Sequence, residues 1–174
     1  MARYRLTTER YHIIFPVMTA RLYVKCPAFA PDGAIPEEYT WFGEDLSPEI
    51  IIGNIGAGVR SIAVIMDDLN VPVRGELTHW IIWNLLPSSV IPKAIPHGAR
   101  IPSGAVQGHA YGKHCYRGPR IPFFLRKAHS YRFSVYALDT LLDIPENSGK
   151  KELLDAMNGH VLQMGETAGW YRNG

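Results

Sequence analysis

The sequence has few cysteines, no long hydrophobic run and no strong excess of charge of one sign. Among its 174 residues only Cys26 and Cys115 are cysteines, and their spacing fits neither a zinc-binding motif nor a redox pair. They could form one disulfide bond, but two buried free thiols are the simpler interpretation. The chain must therefore fold around a hydrophobic core, and 174 residues are enough to build one in a single domain.

Membrane and secretory signals are also missing. No stretch approaches the roughly 18 apolar residues that a membrane-spanning helix needs. Residues 11–20, YHIIFPVMTA, are similar to the apolar part of a signal peptide, but they contain His12 and Pro16. Arg21 then follows where a cleavage site would have small residues. We expect a cytoplasmic protein with no transmembrane segment.

The charge distribution argues against a nucleic-acid surface. The net charge is +2, and residues 1–25 have five basic residues against one acidic residue, so the rest of the chain is slightly acidic. Residues 1–20 are expected to form an N-terminal extension, either an extra edge strand or a terminal arm, in front of one domain at 21–174. No nucleic-acid partner is expected.

The pattern along the domain is that of a mainly β fold. The 13 prolines and 16 glycines divide the chain into short segments. Helical spacing occurs only at 150–157, with Asn147 and Ser148 as expected caps and Gly159 as its end. The glycine-rich stretch GNIGAG at 53–58 precedes an apolar strand rather than a helix, so it does not predict a phosphate-binding loop. The strands at 59–66 and 77–86 are close enough along the chain to be antiparallel neighbours.

Polar residues lie near the ends of three predicted strands. In an extended strand, residues two apart share a face. The polar residues, each with the apolar residues on its face, are His79 with Ile81 and Trp83, His129 with Tyr131 and Phe133, and Asp68 with Val64 and Met66. If the three strands pair side by side, the polar groups converge in one place.

A convergent Asp68, His79 and His129 would form a pocket for an anion. The aspartate would favour the charged form of both imidazoles, and two cationic N–H groups would bind phosphate or carboxylate. Tyr131 could add a hydroxyl donor, and the loop at Gly118-Pro119 could present free backbone N–H groups. No cofactor is needed for such a site.

Other interpretations of the same residues stay open. A histidine among apolar residues is most often a hydrogen-bonded core residue, and an aspartate at a strand end is often a turn former. Two histidines and a carboxylate could also hold non-haem iron. Cys115 beside His114 could be an activated thiol nucleophile, although its sequence context is weak.

Several motifs in order resemble the phosphatidylethanolamine-binding proteins, especially their bacterial and archaeal branch. The resemblance begins near Arg21 and runs to Tyr171. The stretches that carry it are VKCPAFAPDGAIPEEYTWFGEDLSPEI at 24–50, MDDLNVP at 66–72, THW at 78–80, GKHCYRGPRIP at 112–122, AHSYRFSVYALD at 128–139 and KKELLDAMNGHVLQMGETAGWY at 150–171.

The resemblance implies a large central antiparallel sheet packed on a smaller sheet, with short peripheral helices. It also implies an anion pocket formed by the ligand-binding residues Asp68, His79, Gly118, Pro119, His129 and Tyr131. The sequence departs from the family pattern at Leu69 and Asn70, which replace a proline and a second aspartate, at Ile121, which replaces a proline, and at 123–128, which is longer and more apolar.

Three functions follow as expectations. The first is a non-enzymatic, regulatory binding protein for phosphate, phosphorylated head groups or carboxylate. The second is an inhibitor of a protease or of a kinase pathway that acts through its surface, with the basic N-terminal extension as a candidate contact. The third is a hydrolase or metal-dependent enzyme at the same pocket. A homodimer is an open alternative to a monomer.

Overall fold

The protein is built mainly of β-strands. A computed structural model describes residues 21–72, 75–122, 124 and 127–173, so the expectation for the extension at 1–20 lies outside the described residues. The strands are β1 (Tyr23–Lys25), β2 (Gly33–Ala34), β3 (Ile50–Gly53), β4 (Ser61–Val71), β5 (Gly75–Leu85), β6 (Val90–Ile91), β7 (Val106–Gln107), β8 (His129–Leu138) and β9 (Val161–Tyr171). A 3-10 helix covers Glu37–Tyr39 and the helix α1 covers Lys150–Met157.

The strands form two sheets, as the family resemblance implied. The larger sheet has six strands in the order β2-β9-β8-β4-β5-β7, and the smaller has three in the order β1-β3-β6. The strand pairs are antiparallel except for β2 with β9. The predicted antiparallel pairing of the strand at 59–66 with that at 77–86 is confirmed, because β4 pairs with β5.

Strand β4 lies in the middle of the larger sheet and is buried on both faces. Val64 and Met66 belong to the core between the two sheets, together with side chains of β1, β3 and β6. Ala63 and Ile65 belong to a second core on the opposite face, which α1 covers. A strand buried on both faces needs a nearly continuous apolar run, which explains the sequence SIAVIM at 61–66.

Helix α1 lies where the sequence predicted it, but its start differs in detail. Its first turn begins after Gly149, whose backbone N–H donates to Glu152 Oε2 at 3.0 Å, so neither Asn147 nor Ser148 is the cap. Gly159 follows the helix with φ of +85°, a conformation that suits glycine. Within the described ranges, no helix is long and apolar enough to cross a membrane.

Candidate functional site

The three predicted strands are neighbours, and their polar ends meet. In the order β8-β4-β5, Asp68 of β4 lies directly opposite Tyr131 of β8. The His129 ring lies beside Asp68, with Nδ1 at 2.7 Å from Oδ2. The ring of His79 from β5 meets the edge of the Tyr131 ring, with 5.3 Å between centroids. The convergence expected from the sequence is therefore present in the fold.

His79 reaches this group through a β-bulge and not through simple alternation. Met66 pairs with Trp80, but the next residue, Asp67, pairs with Thr78, so His79 has no partner on β4. The extra residue shifts the alternation and turns His79 toward the core that contains Tyr131. The prediction that His79 shares a face with Ile81 and Trp83 is wrong for this reason, since those two side chains lie in the opposite core.

Backbone hydrogen bonds along the other edge of β5 stabilise the bulge. The carbonyl oxygens of Thr78 and His79 accept hydrogen bonds from the backbone N–H groups of Tyr111 and Gly112, each at 2.9 Å. The segment after β7 thus satisfies the backbone that the bulge displaces. Tyr111 also lies against the His79 ring, with 5.1 Å between ring centroids.

The imidazole of His79 is buried and oriented by a backbone carbonyl. Its Nδ1 lies 2.9 Å from the carbonyl oxygen of Arg117, and because a carbonyl only accepts, Nδ1 carries the hydrogen and Nε2 is left free. Burial lowers the pKa of His79, and the opposing effects of the Arg117 carbonyl and the Asp68 carboxylate are smaller. Asp68 does favour the charged form of His79, as expected, but burial outweighs it in the free site.

Asp68 orients His129 in a similar way. One carboxylate oxygen, Oδ2, accepts from His129 Nδ1, and the other, Oδ1, accepts from the backbone N–H of Asn70 at 2.9 Å. The Nε2 atoms of both histidines make no hydrogen bond to the described part of the chain. Each imidazole is therefore fixed at one nitrogen and has the other nitrogen available.

The hydroxyl of Tyr131 is buried without a hydrogen-bond partner among the described residues, and the side chain is 0% exposed. The Asp68 carboxylate and the Arg120 backbone amide are polar neighbours, but neither forms a hydrogen bond of normal geometry with it. Burial, followed by the charge of Asp68, raises the pKa of Tyr131, so the hydroxyl keeps its proton. It is a buried donor without a hydrogen bond of normal geometry to the described residues, and the Asp68 carboxylate is its neighbour.

The loop at 117–119 forms one wall of the site, but its backbone is already in use. The Gly118 N–H donates to Asp45 Oδ1 at 2.7 Å, and Arg117 Nη1 donates to Asp45 Oδ2 at 2.8 Å. A Cβ at Gly118 would collide with the carbonyl oxygen of Tyr39. The expectation of a free N–H donor at Gly118 is wrong, and the carbonyl of Pro119 accepts from the Trp41 N–H at 3.1 Å. Gly118 and Pro119 thus hold the loop in place.

Sequence reasoning missed five residues around the site: Trp41, Asp45, Tyr111, Arg117 and Arg120. Asp45 belongs to the GED stretch at 43–45, and its carboxylate holds the loop at 117–118, which lies 72 residues or more further along the chain. The guanidinium of Arg120 lies over the Trp41 ring, 4.2 Å from its centroid, and Nη1 donates to the Tyr111 hydroxyl at 3.1 Å. The nearby Arg and aromatic residues in YRGPR and YTWF were the available signal.

The departures from the family pattern also have structural roles. Asn70 supports the site, because its N–H donates to Asp68 and its side-chain oxygen accepts from the Ser130 N–H at 2.7 Å. Ile121 is 1% exposed and packs as a core residue. The longer segment at 123–128 is described only at residues 124, 127 and 128, so its effect on the rim stays a prediction.

The residues do not fit the metal and thiol alternatives. In the ranges that the structure describes, no three His, Cys, Asp or Glu side chains are arranged to hold a metal ion. Both cysteines are buried and unpaired. Burial raises the pKa of the Cys115 thiol, which is the opposite of what an activated nucleophile requires.

The fold and the site together define a two-sheet β protein with a buried cluster of polar groups at one end of its central strands. The sequence model of the family described as "Phosphatidylethanolamine-binding protein" matches residues 25–172, and the chain belongs to this family.

Relatives and solved structures agree with this assignment. A UPF0098 protein of Methanothermobacter thermautotrophicus is 39% identical over 153 residues, which cover 87% of this chain and 99% of that protein. A UPF0098 protein of Pyrococcus horikoshii is 40% identical over 146 residues, covering 82% of this chain and 73% of that protein. The crystal structure of a phosphatidylethanolamine-binding protein homolog from Chlamydia trachomatis matches with a TM-score of 0.77 and 32% identity, over 88% of this chain and 99% of that one. E. coli YbcL shares the fold, with a TM-score of 0.79 and 23% identity over 89% of this chain and 100% of that one.

Proposed function

We propose that this protein is a non-enzymatic binding protein whose pocket holds phosphate, a phosphorylated head group or a carboxylate. The observation that carries the proposal is the buried Tyr131 hydroxyl, which has no hydrogen-bond partner in the described part of the chain. The Tyr131 ring contacts the His79 ring, and His129 lies two residues earlier on the same strand. A buried donor without a partner costs about 1–3 kcal/mol. A bound anion that accepts from it would recover that cost.

The chemistry of the group suits an oxyanion. Tyr131 supplies a neutral donor, and His79 and His129 each have Nε2 available. A phosphate that carries a proton can donate to an unprotonated Nε2, and a fully ionised oxygen can accept from a protonated one. Asp68 contributes by fixing His129 and is not expected to contact the anion with its occupied oxygens.

Anion binding should be linked to proton uptake at His79. Burial keeps this imidazole uncharged in the free site, whereas a bound anion favours the charged form and raises the pKa. The complex then holds more protons than the free protein, so affinity increases as pH falls from about 8 to about 6. This pH dependence distinguishes histidine-assisted binding from binding by a permanent charge alone.

A binding function is favoured over an enzyme because the described residues of the site offer no activated nucleophile. Cys115 is buried with a raised pKa, and the Asp68 oxygens are occupied by Asn70 and His129. The alternative of a protease or kinase-pathway inhibitor that acts through its surface stays a prediction, and its candidate contact at 1–20 lies outside the described residues. A regulatory role, a cytoplasmic location and a homodimer stay predictions.

The test is calorimetric titration with inorganic phosphate and phosphoethanolamine at pH 6 and pH 8, in two buffers of different ionisation enthalpy. We expect binding that is tighter at pH 6 and a buffer-dependent heat that reports proton uptake. His79→Ala should abolish the proton uptake and weaken binding at least tenfold. His160→Ala, which removes an exposed histidine paired with Asp139, is the matched control and should change neither. Absence of heat at both pH values would overturn the proposal.

A further inference from the structure

Several cations in the described part of the chain are neutralised by a carboxylate. Lys93 pairs with Glu38, Arg100 with Glu146, Arg117 with Asp45, and Arg132 and Lys150 with Asp67 and Glu76. Arg120 lies two residues beyond Gly118 and differs from these cations. Its side chain contacts the Trp41 ring and the Tyr111 hydroxyl, both uncharged, and no carboxylate of the described residues pairs with it.

The guanidinium of Arg120 is nevertheless held in a fixed position. It lies 4.2 Å from the centroid of the Trp41 ring and donates from Nη1 to Tyr111 at 3.1 Å. Stacking of a planar guanidinium on an aromatic ring and a hydrogen bond together restrict an otherwise mobile side chain. Much of the conformational entropy that an arginine loses on binding a ligand has thus already been lost.

Arg120 is adjacent to the pocket through both its backbone and its side chain. Its backbone amide is a polar neighbour of the Tyr131 hydroxyl. The hydroxyl that its side chain binds belongs to Tyr111, whose ring contacts His79. Along the chain, it follows the loop whose Arg117 carbonyl orients His79. An unpaired, immobilised cation therefore lies at the rim of the group that would hold an anion.

We propose that Arg120 is a specificity-determining residue that supplies the permanent positive charge of the pocket and selects a doubly charged phosphate monoester over a singly charged phosphodiester. This inference rests on the proposed anion-binding function and names its ligand class. The charges that face the bound anion are the carboxylate of Asp68, the imidazoles of His79 and His129, and Arg120. Arg117 is compensated by Asp45, so Arg120 is the uncompensated fixed charge among the described residues at this rim.

The physical reason for selectivity is the dependence of the Coulomb energy on ligand charge. The interaction of one cation with a ligand at −2 is about twice its interaction with a ligand at −1 at the same distance. The repulsion between the ligand and the Asp68 carboxylate is also about twice as large for the ligand at −2. Without Arg120, the dianion is therefore no longer favoured over the monoanion. A free phosphate monoester and the phosphodiester of a lipid head group are thereby distinguished.

The test compares binding of methyl phosphate and dimethyl phosphate at pH 8 to the full-length protein and to Arg120→Gln. We expect the protein to prefer methyl phosphate. Arg120→Gln should weaken methyl phosphate by roughly five- to twentyfold and dimethyl phosphate by only about two- to fourfold, since the change in log affinity scales with ligand charge. The salt dependence of methyl phosphate binding should also become less steep.

Two further variants separate charge from packing. Arg100→Gln removes one exposed cation that is paired with Glu146 and should leave both affinities within twofold. Tyr111→Phe keeps Arg120 but removes its tether, so it should weaken methyl phosphate less than Arg120→Gln does. Urea midpoints of all variants establish that each is folded.

The outcomes are distinct. Equal losses for the two ligands, or no loss, in a folded Arg120→Gln protein would overturn the role of Arg120 while leaving anion binding intact. Tighter binding of dimethyl phosphate by the unmodified protein would overturn the ligand class. If the unmodified protein binds neither ligand at pH 6 or pH 8, the proposed function fails, and this inference fails with it.

Discussion

Removing the hydroxyl of Tyr131 should stabilise the protein when no ligand is present. The group is buried, has no hydrogen-bond partner in the described part of the chain, and lies near the negative charge of Asp68. An unsatisfied buried polar group costs about 1–3 kcal/mol, and we take the lower end because the Arg120 amide compensates part of this cost. Tyr131→Phe should therefore raise the free energy of unfolding by about 1 kcal/mol, or the melting temperature by about 2–4 °C.

Tyr116→Phe is a matched control, for which we expect a change in the free energy of unfolding of the opposite sign. It is 1% exposed, but its hydroxyl donates to the Tyr39 carbonyl at 2.9 Å. Tyr116→Phe should leave that carbonyl unsatisfied and lower the free energy of unfolding by about 1–2 kcal/mol. Urea denaturation of both variants, followed by fluorescence and circular dichroism, compares the midpoints at equal slopes.

Saturating phosphate should reverse the effect of Tyr131→Phe on stability. A ligand that binds only the folded state stabilises it by RT ln(1 + [L]/Kd), so the unmodified protein should gain more from saturating phosphate than Tyr131→Phe does. If Tyr131→Phe is instead destabilised to the extent of Tyr116→Phe without ligand, the hydroxyl is satisfied within the protein. The argument for a site that depends on an unpaired donor would then be refuted.

Three further substitutions test the loop at Gly118 and the buried ion pair of Asp67 with Lys150. Gly118→Ala would place a Cβ against the Tyr39 carbonyl. We therefore expect urea denaturation to show a loss of about 1–3 kcal/mol in stability, together with weaker phosphate binding. Unchanged stability and affinity would show that the loop can move aside. Asp67→Asn removes the charge that Lys150 contacts through both oxygens at 2.9 Å, and it should cost about 2–3 kcal/mol, discounted because Lys150 keeps Glu76. Lys150→Met would leave Asp67 with the longer contact to Arg132 at 3.5 Å, and a neutral effect of both variants would contradict a structural role for this pair.

The alternation of residues in strands was sufficient to predict most of the site. In β4 and β8, the side chains of Asp68 and Tyr131 follow the two-residue period, and cross-strand pairing places them opposite each other. The ordering of strands came from short connections and from the resemblance to a known family. The convergence of Asp68, His129 and Tyr131 was therefore a consequence of local pattern plus strand adjacency.

The position of His79 could not be predicted from alternation, because the β-bulge adds one residue to β5 between Trp80 and Thr78. One extra residue shifts the alternation on one side of the bulge relative to the other side. The bulge follows from hydrogen bonds to Tyr111 and Gly112, more than 30 residues away, and not from the sequence THWIIWN itself. Burial then lowers the pKa of His79, and burial is a property of the packed fold. A charged His79 was expected because Asp68 lies nearby, whereas burial has the larger effect on the pKa of His79.

The two consecutive aspartates of MDDLNVP lie on opposite faces of β4 and have different surroundings. Successive side chains of a strand point to opposite faces, so Asp67 enters the face covered by α1 and Asp68 enters the face with Tyr131. The charge of Asp67 is neutralised by Lys150 and Arg132, and Thr78 satisfies it further at 2.8 Å. Among the described residues, Asp68 accepts hydrogen bonds from His129 and from the Asn70 backbone N–H. In the proposed complex, the negative charge that the anion meets is that of Asp68, and Arg120 at the rim is the cation that we propose to offset it.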